Sequence, residues 1–574
     1  MKQFTFFLQW AKQQYRNLLL AILLVFIDVW LSVQLPYLMS VTISQSLGAG
    51  DVDAVRLQIL RMLLFAFGSS VFGFISSVLT ARAAQRFGND LRSAFFTKVM
   101  SMPFVVSLRF ESGILITRLT GDIQILSQYL AFLVQSVWRP LVILSLSLWN
   151  MGRLGSNLPV WIAVIAALLV VMFFIMRKLT DWFREIQIHF EKVNSLLKRT
   201  LRALRAIKVW SREPWEENRF AAENDRLLTL NIRIQSFMAV VNPLLMLIVS
   251  FSIIAVLMVS GEHIHNGSTT VGNVLALIIY AQQLMLCVVS LGQLFELTVR
   301  TGVSAKRVAA VLDVDSTFAS GNASVPEGPA PLCVDSVSFA YSQESPEIIH
   351  DVNLCVQPGK DICIVGPTGS GKTTLCMLLA RIIDPSSGSI NLGDTCLQDY
   401  ALHGLRRKIA YVPQVAELAP VSIAENIAYG FEGATKEDIV LAAKAARADD
   451  FITKLPNGYE EQVLQNGSSL SGGQRQRIIL ARALVRRPGI LILDDCFTAM
   501  DMETERAVRA ALKTCFPELT IISVTQRLTS VSQFDRIVVI SDGRVVSEGD
   551  HESLMSTSEV YREIYMSQRS EVIE

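Results

Sequence analysis

Six apolar stretches fill most of the first 300 residues, and each is long enough for a helix that crosses a lipid bilayer. A helix needs about 20 such residues to span the hydrocarbon core. Because backbone amides find no water there, a spanning segment must satisfy its hydrogen bonds internally, as a helix does. We therefore predict a membrane all-α domain with six transmembrane helices, namely Leu18–Met39, Leu57–Thr80, Leu133–Met151, Pro159–Met176, Met238–Ser260 and Val271–Leu291.

Positive charge is concentrated in two of the connections between these stretches. Thirteen Lys and Arg residues lie in Arg177–Arg233, and six lie between the second and third stretches: Arg82, Arg86, Arg92, Lys98, Arg109 and Arg118. The other connections are short and carry few positive charges. The positive-inside rule places both long connections and both termini in the cytoplasm. Helical periodicity continues into these connections, which predicts long cytoplasmic extensions of the helices.

Composition limits the classes of partner. The formal net charge of the 574 residues is +1, which gives no indication of a nucleic-acid partner. Of the eight cysteines, Cys287 lies in an apolar stretch and the other seven lie in the second half. They show no metal-ligand spacing, so we expect reduced cytosolic thiols.

A change of composition divides the chain. Ser316–Pro331 is rich in Ser, Gly, Ala and Pro and has little periodicity, which is typical of a linker. Beyond it, short β-rich runs alternate with helical patterns, as in an α/β domain. We predict a transmembrane domain at 1–315, a linker at 316–331 and an α/β nucleotide-binding domain at 332–574.

A glycine-rich loop in the second half indicates a phosphate-binding site. Gly366-Pro-Thr-Gly-Ser-Gly-Lys-Thr-Thr374 follows the apolar run Ile362–Val365 and precedes a helical pattern. Backbone amides of such a loop surround phosphate oxygens at a helix N-terminus. Lys372 is placed to reach the β- and γ-phosphates, and the Thr373 hydroxyl to ligate Mg²⁺. We predict ATP and Mg²⁺ as cofactors, bound by Gly366, Thr368, Gly369, Gly371, Lys372, Thr373 and Thr374.

One ionisable residue lies in the middle of the first apolar stretch. An ionised Asp28 in a bilayer is costly unless it faces a bundle interior or a water-filled cavity. It could line a path for a cationic substrate, or it could join helices by hydrogen bonds. The sequence leaves both interpretations open.

Five further segments follow the pattern of a known family. They are Val337-Ser-Phe-Ala-Tyr341, Tyr411-Val-Pro-Gln414, Leu470-Ser-Gly-Gly-Gln474, Ile490-Leu-Ile-Leu-Asp494 and Thr498-Ala-Met-Asp501. In this order, they resemble the A-loop, Q-loop, signature, Walker B strand and D-loop of ABC ATPases. With six spans ahead of one such domain, the whole chain resembles an exporter-type ABC half-transporter, a membrane all-α domain fused to an α/β P-loop ABC ATPase domain. Gly113–Asp122 and Arg205–Glu213 resemble the coupling regions of these exporters.

The resemblance implies roles for the matching residues. Tyr341 would stack on adenine, Gln414 would contact Mg²⁺ and the attacking water, and Asp494 would hold Mg²⁺ through water. In this family two ATPase domains enclose two ATP molecules, and each site combines the Walker motifs of one chain with the signature of the other. The chain should therefore dimerise and offer Ser471, Gly472, Gly473 and Gln474 to the site of its partner.

Two positions depart from the family pattern. Asp495 stands where the family places a glutamate that orients or activates water, and Gln526 stands where it places a histidine. Asp is shorter than Glu by one methylene, and Gln cannot carry the charge of an imidazolium. The family contains heterodimers in which one subunit has both changes. The resemblance thus implies a second half-transporter, with Glu and His at these positions, as the partner.

The function that the sequence predicts is ATP-driven export of amphipathic small molecules, drugs or lipids through a bacterial inner or plasma membrane. An importer with the exporter layout, for example of siderophores, and a homodimeric exporter remain alternatives. A soluble ABC ATPase is disfavoured by the six spans. A nucleotide-gated channel is disfavoured because no long regulatory insert separates the domains.

Overall fold

The computed structural model describes residues 2–47, 52–108, 110–154, 158–265, 269–314, 320–342, 345–415, 417–464, 467–525 and 533–571. Backbone contacts divide the chain into two compact units. The first contains residues 1–100 and 111–315, and the second contains residues 101–110 and 316–574.

The first unit is built from helices that begin at the N-terminus. Short 3-10 or π-helical turns connect some of them, at Lys12–Gln14, Thr42–Leu47, Arg118–Asp122 and Val134–Trp138. The α-helices are α1 (Lys2–Ala11), α2 (Tyr15–Val41), α3 (Val52–Ser101), α5 (Ser112–Thr117), α6 (Ile123–Leu133), α7 (Arg139–Arg153), α8 (Leu158–Arg202), α9 (Leu204–Val209), α10 (Glu213–His265) and α11 (Val271–Leu312), with α4 (Phe104–Ser107) assigned to the second unit.

Four helices in the described part of the chain are long and apolar enough to cross a membrane: Thr5–Ser44, Val52–Ser101, Ser112–Arg153 and Glu213–Phe251. A shorter apolar helix covers Val271–Cys287. The count of six spans therefore stays a prediction. The 50 residues of α3 extend about 75 Å, more than twice the thickness of the hydrocarbon core. The helices are thus long enough for extensions beyond the membrane.

The segment between α3 and α5 belongs to the second unit. Val105, in α4, packs against the apolar core of that unit. The segment that sequence similarity identifies as the first coupling region, Gly113–Asp122, lies in the first unit instead. The residues just before that motif therefore contribute to the apolar core of the second unit.

The second unit contains two sheets. The strands are β1 (Leu332–Phe339), β2 (Ile349–Val356), β3 (Asp361–Val365), β4 (Ser387–Leu392), β5 (Thr395–Cys396), β6 (Ile409–Val412), β7 (Ile490–Asp494), β8 (Thr520–Val524), β9 (Arg536–Ser541) and β10 (Arg544–Gly549). The antiparallel sheet has the order β2-β1-β4-β5, and the second sheet has the order β10-β9-β3-β8-β7-β6.

The larger sheet positions the candidate site. Strands β9, β3, β8, β7 and β6 are parallel, and β10 runs antiparallel to β9. Every residue of β3, β7 and β8 is buried, as expected for parallel strands covered on both faces. Their carboxyl ends lie at one edge, where an open α/β sheet binds ligands.

Helices surround these strands, and apolar side chains from strands and helices form the core. A short 3-10 turn lies at Leu397–Asp399 and another at Gly458–Glu460. The helices are α12 (Lys372–Leu379), α13 (Leu402–Lys408), α14 (Ile423–Ala428), α15 (Lys436–Ala445), α16 (Asp449–Ile452), α17 (Gly472–Leu484), α18 (Met502–Cys515), α19 (His551–Thr557) and α20 (Glu559–Glu571).

Two cysteines differ from the expectation of reduced thiols. Cys333 in β1 lies directly opposite Cys355 in β2, and the two form a disulfide. The expectation is wrong for this pair because it used spacing along the chain, whereas strand register brings the two side chains together. The remaining six cysteines are free.

Candidate nucleotide-binding site

The glycine-rich loop connects β3 to α12, as the sequence predicts. Gly371 is the N-cap of α12 and has a φ of 95°, which favours glycine. Gly366 passes so close to the neighbouring strand β9 that an added Cβ would lie 2.1 Å from the carbonyl oxygen of Ile540. These positions let the backbone turn tightly and expose amide groups at the helix N-terminus.

The Lys372 side chain is folded over this loop. Its Nζ donates hydrogen bonds to the carbonyl oxygens of Gly366, at 2.8 Å, and Pro367, at 2.6 Å. Burial lowers the pKa of Lys372, and the carboxylates of Asp495 and Asp494 act in the opposite direction. The ammonium group is thus held at the centre of the loop, where phosphate oxygens could replace the two carbonyl groups.

Asp494 ends β7 and joins three elements. Its Oδ1 accepts a hydrogen bond from Thr373 Oγ1 at 3.1 Å, and its Oδ2 accepts one from the Tyr411 hydroxyl at 3.0 Å. Burial raises the pKa of Asp494, which is 1% exposed. Hydroxyl, carboxylate and amide oxygens from Thr373, Asp494 and Gln414 are the hard donors that Mg²⁺ prefers, so this residue set fits the predicted ion.

Asp495 begins the turn after β7. Its Oδ2 accepts a hydrogen bond of 3.1 Å from Gln414 Nε2, which lies just beyond β6. The two residues that the sequence assigns to the attacking water are therefore in contact. Gln526, the third residue of this predicted catalytic set, lies outside the described residues.

Tyr341 lies near the far end of the loop. Its hydroxyl is 3.3 Å from Thr374 Oγ1, and its ring packs edge-on against Phe339 at 5.0 Å between centroids. The aromatic side chain that the sequence assigns to adenine is therefore next to the phosphate-binding loop. Stacking on a base stays a prediction.

The signature segment is the N-terminus of a different helix. The Ser471 side chain accepts a hydrogen bond from the Gln474 amide and forms a capping box at the start of α17. Gly473 approaches the turn after β7, where an added Cβ would be 3.0 Å from the carbonyl oxygen of Ala499. Ser471 is exposed, so the segment is available to a ligand or to another chain.

Tyr411 is the residue that the sequence analysis missed. It begins the motif Tyr411-Val-Pro-Gln414, of which only Gln414 was assigned a role. The pairing of β6 with β7 gives a signal that could have found it, since neighbouring parallel strands end at the same edge. Any polar side chain at the end of β6 is therefore a candidate partner of Asp494.

Asp28 lies in a polar cluster within the first unit. It is buried at 3% exposure and pairs with Arg139 at 3.2 Å, from the start of α7. The Ser69 hydroxyl in α3 also donates to it. The carboxylate thus joins three helices and has a cationic partner within the chain, which favours the interhelical interpretation over a site for a cationic substrate.

The sheet, the phosphate-binding loop and the paired acids define a P-loop ATPase domain attached to a helical membrane unit. A family model for the ABC transporter matches residues 349–498, and one for the ABC transporter transmembrane region matches residues 18–288. The chain belongs to the ABC transporter family.

Relatives match over nearly the full length. The uncharacterized ABC transporter ATP-binding protein YfiB of Bacillus subtilis (strain 168) is 33% identical over 553 residues, 96% of each chain. An ATP-dependent lipid A-core flippase of Desulfotalea psychrophila is 32% identical over 524 residues, 90% of this chain and 91% of the flippase. The chain is thus a multi-pass membrane protein that couples ATP hydrolysis to transport.

The fold matches that of a solved exporter. The structure of a bacterial Atm1-family ABC exporter with ATP bound superposes with a TM-score of 0.82 at 24% identity, covering 96% of this chain and 99% of the exporter. The chain therefore has the fold of an exporter-type half-transporter, a helical membrane domain fused to an ABC ATPase domain.

Proposed function

We propose that this chain is one half of a heterodimeric exporter and that its own Walker site binds ATP and Mg²⁺ but hydrolyses ATP slowly. The observation that carries the proposal is Asp495. Its carboxylate is about 1.5 Å short of the reach of a glutamate, and a misplacement near 1 Å can cost about 100-fold in rate. Gln414 holds the short side chain by a hydrogen bond, which limits its movement toward a water molecule.

The other site residues have the roles expected of an ATP site. Lys372 neutralises the β- and γ-phosphates, and Thr373 and Asp494 hold Mg²⁺ with the help of Gln414. Tyr341 stacks on adenine. These roles are supported by the contacts that join Thr373 to Asp494 and Gln414 to Asp495.

The partner supplies the second ATPase domain. Ser471, Gly472, Gly473 and Gln474 complete the partner's ATP site, which carries Glu and His where this chain has Asp495 and Gln526. Exposed apolar side chains at the tip between α9 and α10 support association with another chain, since Val209 is 70% and Trp210 is 75% exposed. Such groups are normally covered at interfaces.

The substrate is an amphipathic small molecule, drug or lipid, moved across a bacterial inner or plasma membrane, with the ATPase domain and both termini in the cytoplasm. The relatives named as lipid A-core flippases support a lipid. The pairing of Asp28 with Arg139 removes one reason to expect a cation.

The test is to purify the full-length chain without a second polypeptide and to reconstitute it in lipid nanodiscs. We expect nucleotide binding that Lys372→Ala abolishes, with ATP turnover at least 100-fold below that of the complex with its partner. Rapid ATP turnover and transport by the chain without a partner would show a homodimer and overturn the heterodimer.

Direction of transport needs a separate assay. In vesicles with the ATPase domain outward, an exporter moves a fluorescent phospholipid or dye into the lumen or lumenal leaflet when ATP is added. Movement out of the lumen under the same conditions would favour the importer alternative.

A further inference from the structure

Asp494 has a different hydrogen-bond donor on each of its two carboxylate oxygens. Thr373 donates to Oδ1 and Tyr411 donates to Oδ2, at 3.1 and 3.0 Å. The acid is buried, so these two contacts fix the rotation of its carboxylate. The two carboxylate oxygens of Asp494 therefore have different surroundings.

The two donors differ in whether a metal ion could approach the carboxylate oxygen that each of them contacts. Thr373 is exposed, and its aliphatic hydroxyl has lone pairs that can turn toward an ion. Tyr411 is half-buried and is held by β6, whose next residue, Val412, is paired in register with Leu493 of β7. Its phenol thus caps Oδ2 from within the domain, and Oδ1 stays on the side of the phosphate-binding loop.

An acid that offers only one oxygen on the side of the phosphate-binding loop suits Mg²⁺ better than Ca²⁺. Mg²⁺ is small, demands near-ideal octahedral geometry and keeps several of its waters, so a single oxygen that accepts from a metal-bound water satisfies it. Ca²⁺ loses water readily and often takes both oxygens of a carboxylate. A capped Oδ2 prevents this second mode.

We propose that Tyr411 is a specificity-determining residue for the metal ion, because it restricts Asp494 to one oxygen and so favours Mg²⁺ over Ca²⁺. The inference rests on the proposed metal role of Thr373 and Asp494. It concerns Tyr411 and not its neighbour Gln414, which donates to Asp495 instead. A change at Tyr411 therefore leaves the Gln414 contact in place.

The experiment measures binding, not turnover, on the full-length chain in nanodiscs. Trinitrophenyl-ATP fluorescence is recorded in EDTA and then during titration with Mg²⁺ or Ca²⁺, for wild type and Tyr411→Phe. Loss of a partner that orients a metal ligand typically weakens metal affinity about 10- to 100-fold. We expect Tyr411→Phe to weaken the Mg²⁺ response about 10-fold and to leave or strengthen the Ca²⁺ response.

Two further proteins separate this role from a structural one. Tyr429→Phe, at an 83% exposed tyrosine of the same domain, should leave both metal responses unchanged. Replacement of Tyr411 by 4-aminophenylalanine, which keeps an N–H donor at the same ring position, should restore the preference for Mg²⁺. Binding in EDTA and the unfolding temperature show whether each variant is folded.

The outcomes decide the inference. An unchanged ratio of Mg²⁺ to Ca²⁺ affinity in Tyr411→Phe, including an equal loss of both affinities, would overturn it while leaving the proposed ATP site intact. A wild type that binds the nucleotide without any response to metal would overturn the metal role of Asp494 and this inference together.

Discussion

The side-chain amide of Gln414 donates a hydrogen bond of 3.1 Å to the carboxylate of Asp495. Asp495 has a φ of 51°, in the left-handed region that few residues other than glycine adopt. Its amide donates to the carbonyl oxygen of Val524, and its own carbonyl accepts from the Thr498 hydroxyl. A strained residue held by several contacts is typical of a functional site. The fold thus sets the position of the Asp495 backbone, and the length of the side chain sets how far its carboxylate reaches.

Lengthening this side chain tests whether reach limits catalysis. We expect Asp495→Glu to raise ATP turnover at this site about 10- to 100-fold, because the added methylene brings the carboxylate toward the attacking water. The measurement is phosphate release by the complex with its partner, whose own site is silenced by changing its Walker lysine to alanine. Asp495→Asn, which keeps the length but removes the charge, is the control and should not gain activity. No gain in Asp495→Glu would place the limit elsewhere, with Gln526 as the next candidate.

The ion pair between Asp28 and Arg139 predicts unequal losses of stability when each residue is replaced. Asp28 is buried, whereas the Arg139 side chain is 48% exposed. Arg139→Gln leaves a buried carboxylate without its partner and should lower the free energy of unfolding by about 3 kcal/mol. Asp28→Asn leaves the cation of Arg139 without its partner, but this long side chain can extend away from the apolar core toward more polar groups, so we expect a smaller loss of about 1 kcal/mol.

The double variant Asp28→Asn/Arg139→Gln completes this test. It should recover most of the stability that Arg139→Gln loses, because neither charge is then left unpaired. Thermal unfolding in nanodiscs measures all four proteins as a double-mutant cycle. A loss of stability in the double variant that equals the sum of the two single losses would show that the two residues do not stabilise the fold as a pair.

The parts of the site that the sequence could predict are those set by local spacing. The phosphate-binding loop lies in one short segment whose residue pattern follows from its chemistry, and the acid after β7 lies in one short segment that the resemblance to a family motif identified. The contacts missed by the sequence join residues far apart: Arg139 is 111 positions from Asp28, and Tyr411 is 83 positions from Asp494. No periodicity indicates such pairs, because they depend on which helices and strands become neighbours.

The disulfide between β1 and β2 predicts how many cysteines of the purified protein react with an alkylating reagent. Protein purified without reductant should contain six alkylatable cysteines after denaturation, and all eight should react once it is reduced. The disulfide links positions 22 residues apart, for which chain entropy predicts about 3 kcal/mol of stabilisation. Dithiothreitol should therefore lower the unfolding temperature of the wild type.

The double variant Cys333→Ser/Cys355→Ser is the control for this effect. Its unfolding temperature should not respond to dithiothreitol, because the six remaining cysteines are free. Eight reactive thiols in unreduced protein would contradict the pairing and restore the expectation of reduced cysteines.

The start of β3 gives a prediction about pH. Asp361 is 4% exposed, and its burial raises the pKa of the carboxyl group to about 6, although Arg509 and Lys513 act in the opposite direction. The neighbouring carboxylate of Asp535 adds to the rise. Because the folded protein holds this proton more tightly than the unfolded chain does, the group stabilises the fold most below about pH 4. That stabilisation is lost as the pH rises to about 6.

Asp361→Asn isolates this contribution. The variant cannot titrate at this position, so the wild type should lose up to about 3 kcal/mol relative to it between pH 4 and pH 7. Any pH-independent effect of Asp361→Asn on Arg509 shifts the curve of stability against pH without changing its slope. Denaturant unfolding of the full-length chain at several pH values measures the difference, and Glu432→Gln, at an exposed position, controls for the loss of one charge. A constant difference between wild type and Asp361→Asn across this range would mean that Asp361 titrates as an exposed aspartate does, and that Arg509 and Lys513 compensate its burial in full.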